Sequence, residues 1–137
     1  MAKNDFYIWE KREKGNSQLT TNFKWKDFEC KCSNLSCVEQ KISVVLIKRL
    51  QTLREILNTP IIVTSGYRCH THNLKSGGVK NSTHRKGLAV DVRGFKTDKE
   101  KELWLAKAKE LFDGVGEYKN FIHLDARGYK SHFKGKY

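Results

Sequence analysis

The sequence STHRKGLAVD, residues 82–91, places a histidine seven residues before an aspartate, on the far side of a glycine. From residue 88 to 93 the side chains alternate, with Leu88, Val90 and Val92 on one face and Ala89, Asp91 and Arg93 on the other. A period of two predicts a half-buried strand that presents the Asp91 carboxylate. Because Gly87 permits a tight bend, we expect the preceding turn to bring His84 and Asp91 to one point.

A second alternating stretch, residues 121–127, contributes another imidazole. One face carries Ile122, Leu124 and Ala126, and the other carries Phe121, His123, Asp125 and Arg127. Two imidazoles and one carboxylate, with a position left open to water, are typical of a catalytic zinc site. The spacing therefore indicates a metal site formed by His84, Asp91 and His123, although a histidine in a basic domain is more often a surface or hydrogen-bonded residue.

Two helices and a further strand are predicted around these strands. Apolar residues recur at three- and four-residue intervals over 42–57, which predicts an amphipathic helix ending near Asn58. The β-branched run at 61–64 predicts a buried strand. Thr97 and the glutamate three residues later have the spacing of a capping box, which predicts a helix that ends before Gly114.

The composition is that of a small, strongly basic globular chain. Its 27 Lys and Arg against 15 Asp and Glu give a formal net charge of +12, so we expect an anionic partner: nucleic acid, anionic lipid or a cell-wall polymer. No nucleic-acid-binding module is recognisable. No apolar run is long enough to cross a bilayer, and the first residues lack a signal peptide's apolar core, so we expect synthesis in the cytoplasm. We expect a monomer with an N-terminal arm over 1–22 and one domain over 23–137.

Several short motifs, taken in order, resemble one peptidase family. They are Ser65-Gly66-Tyr67-Arg68, Asn73, Gly77-Gly78, Ser82 with His84, Gly87, Ala89 and Asp91, and Gly114-Val115-Gly116 through Phe121 and His123 to Asp125. From about residue 23 to 127 the chain resembles the zinc D-alanyl-D-alanine carboxypeptidase and L-alanyl-D-glutamate endopeptidase family, and within it the small enzymes carried by phages. The resemblance implies an α+β fold shared with the Hedgehog signalling domain, a small central antiparallel sheet with flanking helices.

The resemblance also implies roles for individual residues. It places the zinc ligands on His84, Asp91 and His123. It assigns Arg68 to binding a substrate carboxylate or the oxyanion, for which a planar guanidinium is suited. Ser82 and Tyr118 are expected to contact substrate. The alternatives are a salt bridge from Arg68 to an aspartate and a turn-capping hydroxyl at Ser82.

The general base is the point at which the sequence departs from part of this family. Some branches carry a glutamate three residues before the last histidine ligand, where this chain has Asn120, whose amide cannot accept the proton. Asp125 shares the His123 face of the predicted strand, so we predict that Asp125 is the base. Glu117 is the alternative if its loop folds back. Asp125 could instead accept a hydrogen bond that orients an imidazole or Arg127.

Four cysteines complete the set of reactive residues: Cys30, Cys32, Cys37 and Cys69. Four thiolates can close a structural zinc site, although CxC followed by a four-residue gap is not a common zinc-finger spacing. A reducing cytoplasm disfavours disulfides. Structural zinc, one or two disulfides and buried thiols all remain open, and His70 or His72 could replace one cysteine as a ligand.

Together the residues and the resemblance predict a zinc-dependent peptidase that hydrolyses the peptide stems of bacterial peptidoglycan. We expect a phage endolysin, made in the host cytoplasm and acting at the cell wall, with peptidoglycan and anionic wall polymers as its partners. The expected cofactor is a catalytic Zn²⁺, joined by a second, structural Zn²⁺ if the cysteines bind one. The rival hypothesis is a non-catalytic, zinc-containing wall-binding module of the same fold.

Overall fold

A two-stranded antiparallel sheet joins the N-terminal residues to the body of the protein. The computed structural model describes residues 5–75 and 82–135, so that Gly77 and Gly78 of the motif series lie outside the described residues. Strand β1 (Phe6–Glu10) pairs with β2 (Glu39–Ser43), and a 3₁₀ turn (Trp25–Phe28) lies between them in sequence. Trp9 of β1 is buried and packs edge-on against Trp25. The residues predicted to be an arm therefore contribute a strand and a core side chain.

The larger sheet has five strands. Their order is β3 (Ile62–Ser65), β4 (Ala89–Arg93), β6 (Ile122–Asp125), β5 (Gly114–Glu117) and β7 (Ser131–Lys134). The first four pair antiparallel, but β7 runs parallel to β5. The α+β class is confirmed, whereas the antiparallel description fails at β7. After β6 the chain turns at Gly128 (φ 100°) and crosses the start of β5, where the Ser131 amide donates to the carbonyl of Asp113.

Helix α1 (Val44–Leu57) begins two residues later than the periodicity predicts. Ile42 belongs to β2, and Ser43 caps the helix by accepting a hydrogen bond from the Leu46 amide at 3.2 Å. A serine at this position satisfies one of the helix's unpaired amides. The helix ends at Leu57, next to Asn58 as predicted, and Asn58 caps it in the left-handed conformation (φ 48°).

Two more helices follow in the chain. The short helix α2 (His70–Lys75) has no apolar periodicity and is not predicted by the sequence. Helix α3 (Asp98–Leu111) begins where the capping pattern predicts, because the Thr97 hydroxyl accepts from the Glu100 amide at 3.1 Å. No helix in the described part of the chain is long and apolar enough to cross a bilayer.

The hydrophobic core lies between helices α1 and α3 and one face of the five-stranded sheet. Its central members are Leu46, Ile47, Leu50 and Leu53 of α1, Trp104, Leu105 and Ala108 of α3, and Val90, Val92, Val115, Ile122 and Leu124 of the sheet. Alternate residues of a strand point to opposite faces. Asp91, His123 and Asp125 therefore share the face turned away from this core.

Two predictions about individual strands need correction. β3 was expected to be buried, but it lies at the edge of the sheet and Ile62 is 45% exposed. β4 was expected to be half-buried, but it lies inside the sheet and its residues Ala89 to Val92 are all buried. The polar face of β4 is covered because the turn at 83–87 and the segment at 66–69 pack over it, through hydrogen bonds of His84 and Arg68 to Asp91.

Candidate metal centre

Strand register brings the predicted metal ligands together. Asp91 on β4 is directly opposite His123 on β6, which is in turn opposite Gly116 on β5. Directly opposed residues of antiparallel strands point to the same face, so the carboxylate and the imidazole are neighbours. His84 reaches the same point from the turn that precedes β4. The three predicted ligands thus come from two adjacent strands and one turn.

The three side chains meet around one oxygen of Asp91. Oδ1 of Asp91 lies 3.1 Å from Nε2 of His84 and 3.2 Å from Nδ1 of His123. One ligand atom from each residue lies within 4.8 Å of the others, and all three residues are buried. These atoms are close enough to bind one cation.

Each imidazole is oriented through the nitrogen that faces away from the cluster. Nδ1 of His84 donates to the carbonyl of Gly66 at 2.9 Å, which leaves Nε2 to act as a ligand. Nε2 of His123 lies 2.7 Å from Oδ2 of Asp125, which leaves Nδ1. Hydrogen bonds of this kind fix the tautomer and the ring orientation of metal-binding histidines.

The electrostatics of the cluster keep Asp91 ionised and favour positive charge beside it. Burial alone would raise the pKa of Asp91, but hydrogen bonds with His123 and His84 outweigh it and hold that pKa well below its usual range. Burial opposes protonation of His123, yet its hydrogen bonds to Asp125 and Asp91 raise its pKa. The arrangement stabilises an ionised carboxylate with positive charge beside it.

Asp125 is a fully buried carboxylate in contact with His123 and Arg127. Nη2 and Nε of Arg127 donate to it at 2.7 and 3.0 Å, and the Arg127 amide donates to Oδ1 at 3.1 Å. Burial would raise its pKa, but the bonds from His123 and Arg127 lower it to about 2. Opposite Asp125 stands Gly114, where an added Cβ would collide with the carboxylate.

This geometry does not match the predicted role of Asp125 as general base. Asp125 contacts Nε2 of His123, whereas the metal ligands face Nδ1 on the other side of the ring. Asp125 lies next to the His123 ring because the two residues share a face of the strand. The shared face does not determine which ring nitrogen the carboxylate contacts. The contacts are those of the alternative role, in which Asp125 orients an imidazole.

The structure does not bring Glu117 to the cluster either. Glu117 is opposite Ile122, so its side chain lies on the helix side of the sheet, away from His123. There its Oε2 is 3.4 Å from Nζ of Lys101 on α3. Asn120, at the position where part of the resembled family has its glutamate, is exposed.

The sequence pattern of the peptidase M15 family matches residues 21–125, which is more than half of the chain. The chain belongs to the peptidase M15 family. This confirms the family that the motifs indicate, and it identifies the protein as a member of a family of zinc-dependent metallopeptidases. No curated protein sequence gives a significant match.

The donor atoms of His84, Asp91 and His123 are suited to a catalytic zinc ion. Two imidazole nitrogens and one carboxylate oxygen are a common ligand set of catalytic zinc, which keeps a further position for water or substrate. His84, Asp91 and His123 supply this set, and the hydrogen bonds that the two imidazoles donate to Gly66 and Asp125 provide the outer support that such ligands need.

Arg68 and Ser82 lie beside the cluster. Nη2 of Arg68 is 3.2 Å from Oδ2 of Asp91, and its Nε donates to Ser65 at 2.9 Å. The salt bridge from Arg68 to an aspartate, which was the alternative to a role in substrate binding, is therefore present. It places the guanidinium at the metal site. The Ser82 hydroxyl accepts from the His84 amide at 3.2 Å, which is the turn-capping contact.

Tyr118 belongs to an aromatic group beside His123. Its ring stacks on Phe121 at 4.4 Å between centroids, and Phe133 lies 5.6 Å from the His123 ring. Phe133 covers Gly116, where an added Cβ would collide with its ring. Phe133 is not predicted from the sequence, because the four residues of β7 show no strand periodicity. The alternating glycines at 114 and 116 were the available signal, since they leave one face of β5 open to neighbouring side chains.

The four cysteines form a second cluster, and all four are free thiols. One sulfur from each lies within 4.8 Å of the others. His70 and His72 are on α2 and are not members of this cluster. Burial raises the pKa of Cys30, while at Cys32 hydrogen bonds from the Asn34 amide and neighbouring thiols outweigh burial and lower the pKa to about 6.

Proposed function

We propose that this M15 protein is a zinc-dependent hydrolase of the peptide stems of bacterial peptidoglycan, of the phage endolysin type. The observation that carries the proposal is the convergence of His84, Asp91 and His123, each with its outward-facing atoms already hydrogen bonded. A buried site whose ligands are oriented in this way is suited to catalysis because it needs little rearrangement.

The chain's own residues would divide the work as follows. His84, Asp91 and His123 would hold a zinc ion, which when bound would activate water and polarise the scissile carbonyl. Asp125 holds the His123 ring so that Nδ1 faces Asp91, and Arg127 keeps Asp125 ionised. Arg68 holds Asp91 and presents a planar guanidinium that can bind a substrate carboxylate or the oxyanion.

Peptide stems of peptidoglycan match the surroundings of the site. Their carboxylates suit Arg68, and the aromatic group of Tyr118, Phe121 and Phe133 offers an apolar surface beside His123. The net charge of +12 favours accumulation at a wall that carries anionic polymers. We propose synthesis in the host cytoplasm and action at the wall.

Mass spectrometry of purified peptidoglycan after digestion tests this proposal and identifies the bond. New C-terminal D-alanine with release of free D-alanine indicates a D,D-carboxypeptidase. New N-terminal D-glutamate residues, with L-alanine left on the glycan, indicate an L-alanyl-D-glutamate endopeptidase. His84→Ala is expected to abolish either product while keeping the fold. Absence of any new terminus with zinc-loaded wild-type protein would contradict the proposal.

A non-catalytic wall-binding module is the second candidate, and one observation favours it. Asp125 contacts Nε2 of His123, on the far side of the ring from the metal-facing Nδ1, and Glu117 lies on the opposite face of the sheet. This candidate predicts that the protein cosediments with peptidoglycan in a zinc-dependent manner without producing new termini. The digestion experiment therefore separates the two candidates.

A further inference from the structure

The cysteine cluster joins two separate parts of the chain. Cys30, Cys32 and Cys37 lie in the loop between the 3₁₀ turn and β2, and Cys69 directly follows Arg68. Sγ of Cys32 and Sγ of Cys69 are 3.7 Å apart, and all four sulfurs lie within 4.8 Å of one another. A zinc–sulfur bond of about 2.3 Å implies sulfur–sulfur distances of about 3.8 Å in a regular tetrahedron.

We propose that Cys30, Cys32, Cys37 and Cys69 bind a second, structural zinc ion that anchors the segment carrying Arg68. Four sulfurs that all converge on one point match a closed tetrathiolate site. Disulfide formation would require only two close pairs, not a common centre. The inference concerns a site separate from the proposed catalytic centre and does not depend on peptidase activity.

Hydrogen-bond donors surround the sulfurs. The Cys69 amide donates to Sγ of Cys30 at 3.3 Å, and Nζ of Lys11 is 3.6 Å from Sγ of Cys32. Nε2 of the buried Gln40 is 3.5 Å from Sγ of Cys37, while its Oε1 accepts from the Cys30 amide at 2.6 Å. Four thiolates around one Zn²⁺ carry a net negative charge. Donors and an ammonium group at this distance stabilise that charge.

Residues 66–69, which we call the linking segment, connect this cluster to the proposed catalytic centre. At one end the Gly66 carbonyl accepts from Nδ1 of His84, and next to the other end Arg68 donates to Asp91. Cys69 then enters the sulfur cluster. Gly66 is also pressed against the backbone of Phe28, where an added Cβ would lie 2.7 Å from its Cα atom. An ion bound by Cys69 would therefore hold the residues that orient two of the catalytic ligands.

Metal analysis of the wild-type protein and of a histidine variant tests the site without relying on a folded cysteine variant. Wild-type protein is expected to carry about two zinc ions per chain and to show four titratable thiols once denatured without reductant. His84→Ala is expected to retain one zinc, whose X-ray absorption spectrum shows four sulfur ligands at about 2.3 Å. Iron in place of zinc, disulfide-bonded cysteines, or a remaining zinc with nitrogen or oxygen ligands would overturn the proposal.

Cysteine variants test the anchoring role. Cys37→Ser is the sharper one, because Cys37 lies in the loop before β2, with its sulfur beside Gln40, whereas Cys69 belongs to the linking segment itself. The Cys37→Ser variant is expected to lose the zinc of the cysteine cluster. Its zinc affinity at the histidine cluster is expected to fall about 10-fold, which is the smallest loss typical when a contact that supports a metal ligand is removed. Ser33→Ala, at an exposed position of the same loop, is the matched control and should change neither. Unchanged affinity at the histidine cluster after loss of the second zinc would overturn the anchoring role.

Discussion

Asp125 is the residue whose role depends most on a single contact. Its Oδ2 lies 2.7 Å from Nε2 of His123, and both of its oxygens are held by Arg127. A carboxylate in this position acts on the metal through the imidazole, by fixing its orientation and increasing its basicity. It is a positioning residue in this account.

We expect Asp125→Asn to weaken zinc binding about 10- to 100-fold, because the amide cannot replace the ionised acceptor behind His123. Excess zinc should then restore most of the turnover. Zinc affinity by competition with a chelating dye, and kcat on peptidoglycan at saturating zinc, measure the two effects. A general base would behave differently, with turnover about 10²- to 10⁴-fold lower while zinc stays bound. That result would reinstate the role predicted from the sequence.

Gly114 tests the same contact from the opposite strand. An alanine methyl group at this position would collide with the Asp125 carboxylate. Gly114→Ala is expected to cost about 1–3 kcal/mol of unfolding free energy, as overpacking does, and to weaken zinc binding as well. Gly15→Ala is the control: its φ of 52° adds backbone strain, but nothing lies within 4 Å. If neither variant changed the zinc affinity, the contact between Asp125 and His123 would not support zinc binding.

Strand β1 is the element whose contribution to the hydrophobic core is least visible in the sequence. Trp9 is 3% exposed, contacts Trp25, and donates from Nε1 to Glu29 at 2.8 Å, whereas its neighbour Ile8 is 63% exposed. The two residues point to opposite sides of the same strand, so one strand provides both the test and its control.

Trp9→Ala is expected to destabilise the protein by about 3–5 kcal/mol, because it empties a core position and removes the Trp9 donor from Oε2 of the buried Glu29, which keeps the donor from the Arg12 amide. Ile8→Ala should change the unfolding free energy by less than about 0.5 kcal/mol. Chemical denaturation of both variants measures the difference. Equal, small effects would mean that β1 is a dispensable arm rather than part of the folded domain.

The sequence was sufficient to predict the elements that have a strong hydrophobic periodicity, and to predict which face of a strand a residue occupies. Helices α1 and α3 and strands β4 and β6 follow from alternation or from three- and four-residue repeats, and register then brings Asp91 beside His123. Strands β2 and β7, with sequences EQKIS and SHFK, carry too few apolar residues to show a period. The role of Asp125 could not be read from the sequence for a different reason: strand periodicity gives the face of a side chain but not the imidazole nitrogen that it contacts.

At the scale of the whole molecule, the net charge of +12 acts over distances longer than any single contact. An excess of lysine and arginine produces a long-range field that raises the local concentration of an anionic partner. Such a field is screened by salt, since the Debye length falls from about 10 Å at 0.1 M to about 3 Å at 1 M.

We therefore expect binding to intact cell walls to weaken strongly between 0.1 and 1 M salt. Walls stripped of their anionic polymers should bind less protein and show a much smaller salt effect. Cosedimentation with both preparations, using the His84→Ala variant so that the substrate is not consumed, measures the difference. Binding that does not depend on salt would show that charge does not recruit the protein.

We expect His84, Asp91 and His123 to bind zinc while Asp125 supports His123 from behind. Anomalous diffraction at the zinc absorption edge, on crystals of the zinc-loaded protein, tests both expectations. We predict a zinc peak about 2.0–2.2 Å from Nε2 of His84, Nδ1 of His123 and an oxygen of Asp91, with Asp125 still bonded to Nε2 of His123. No peak between these three residues, or zinc bound by Asp125 itself, would contradict the account.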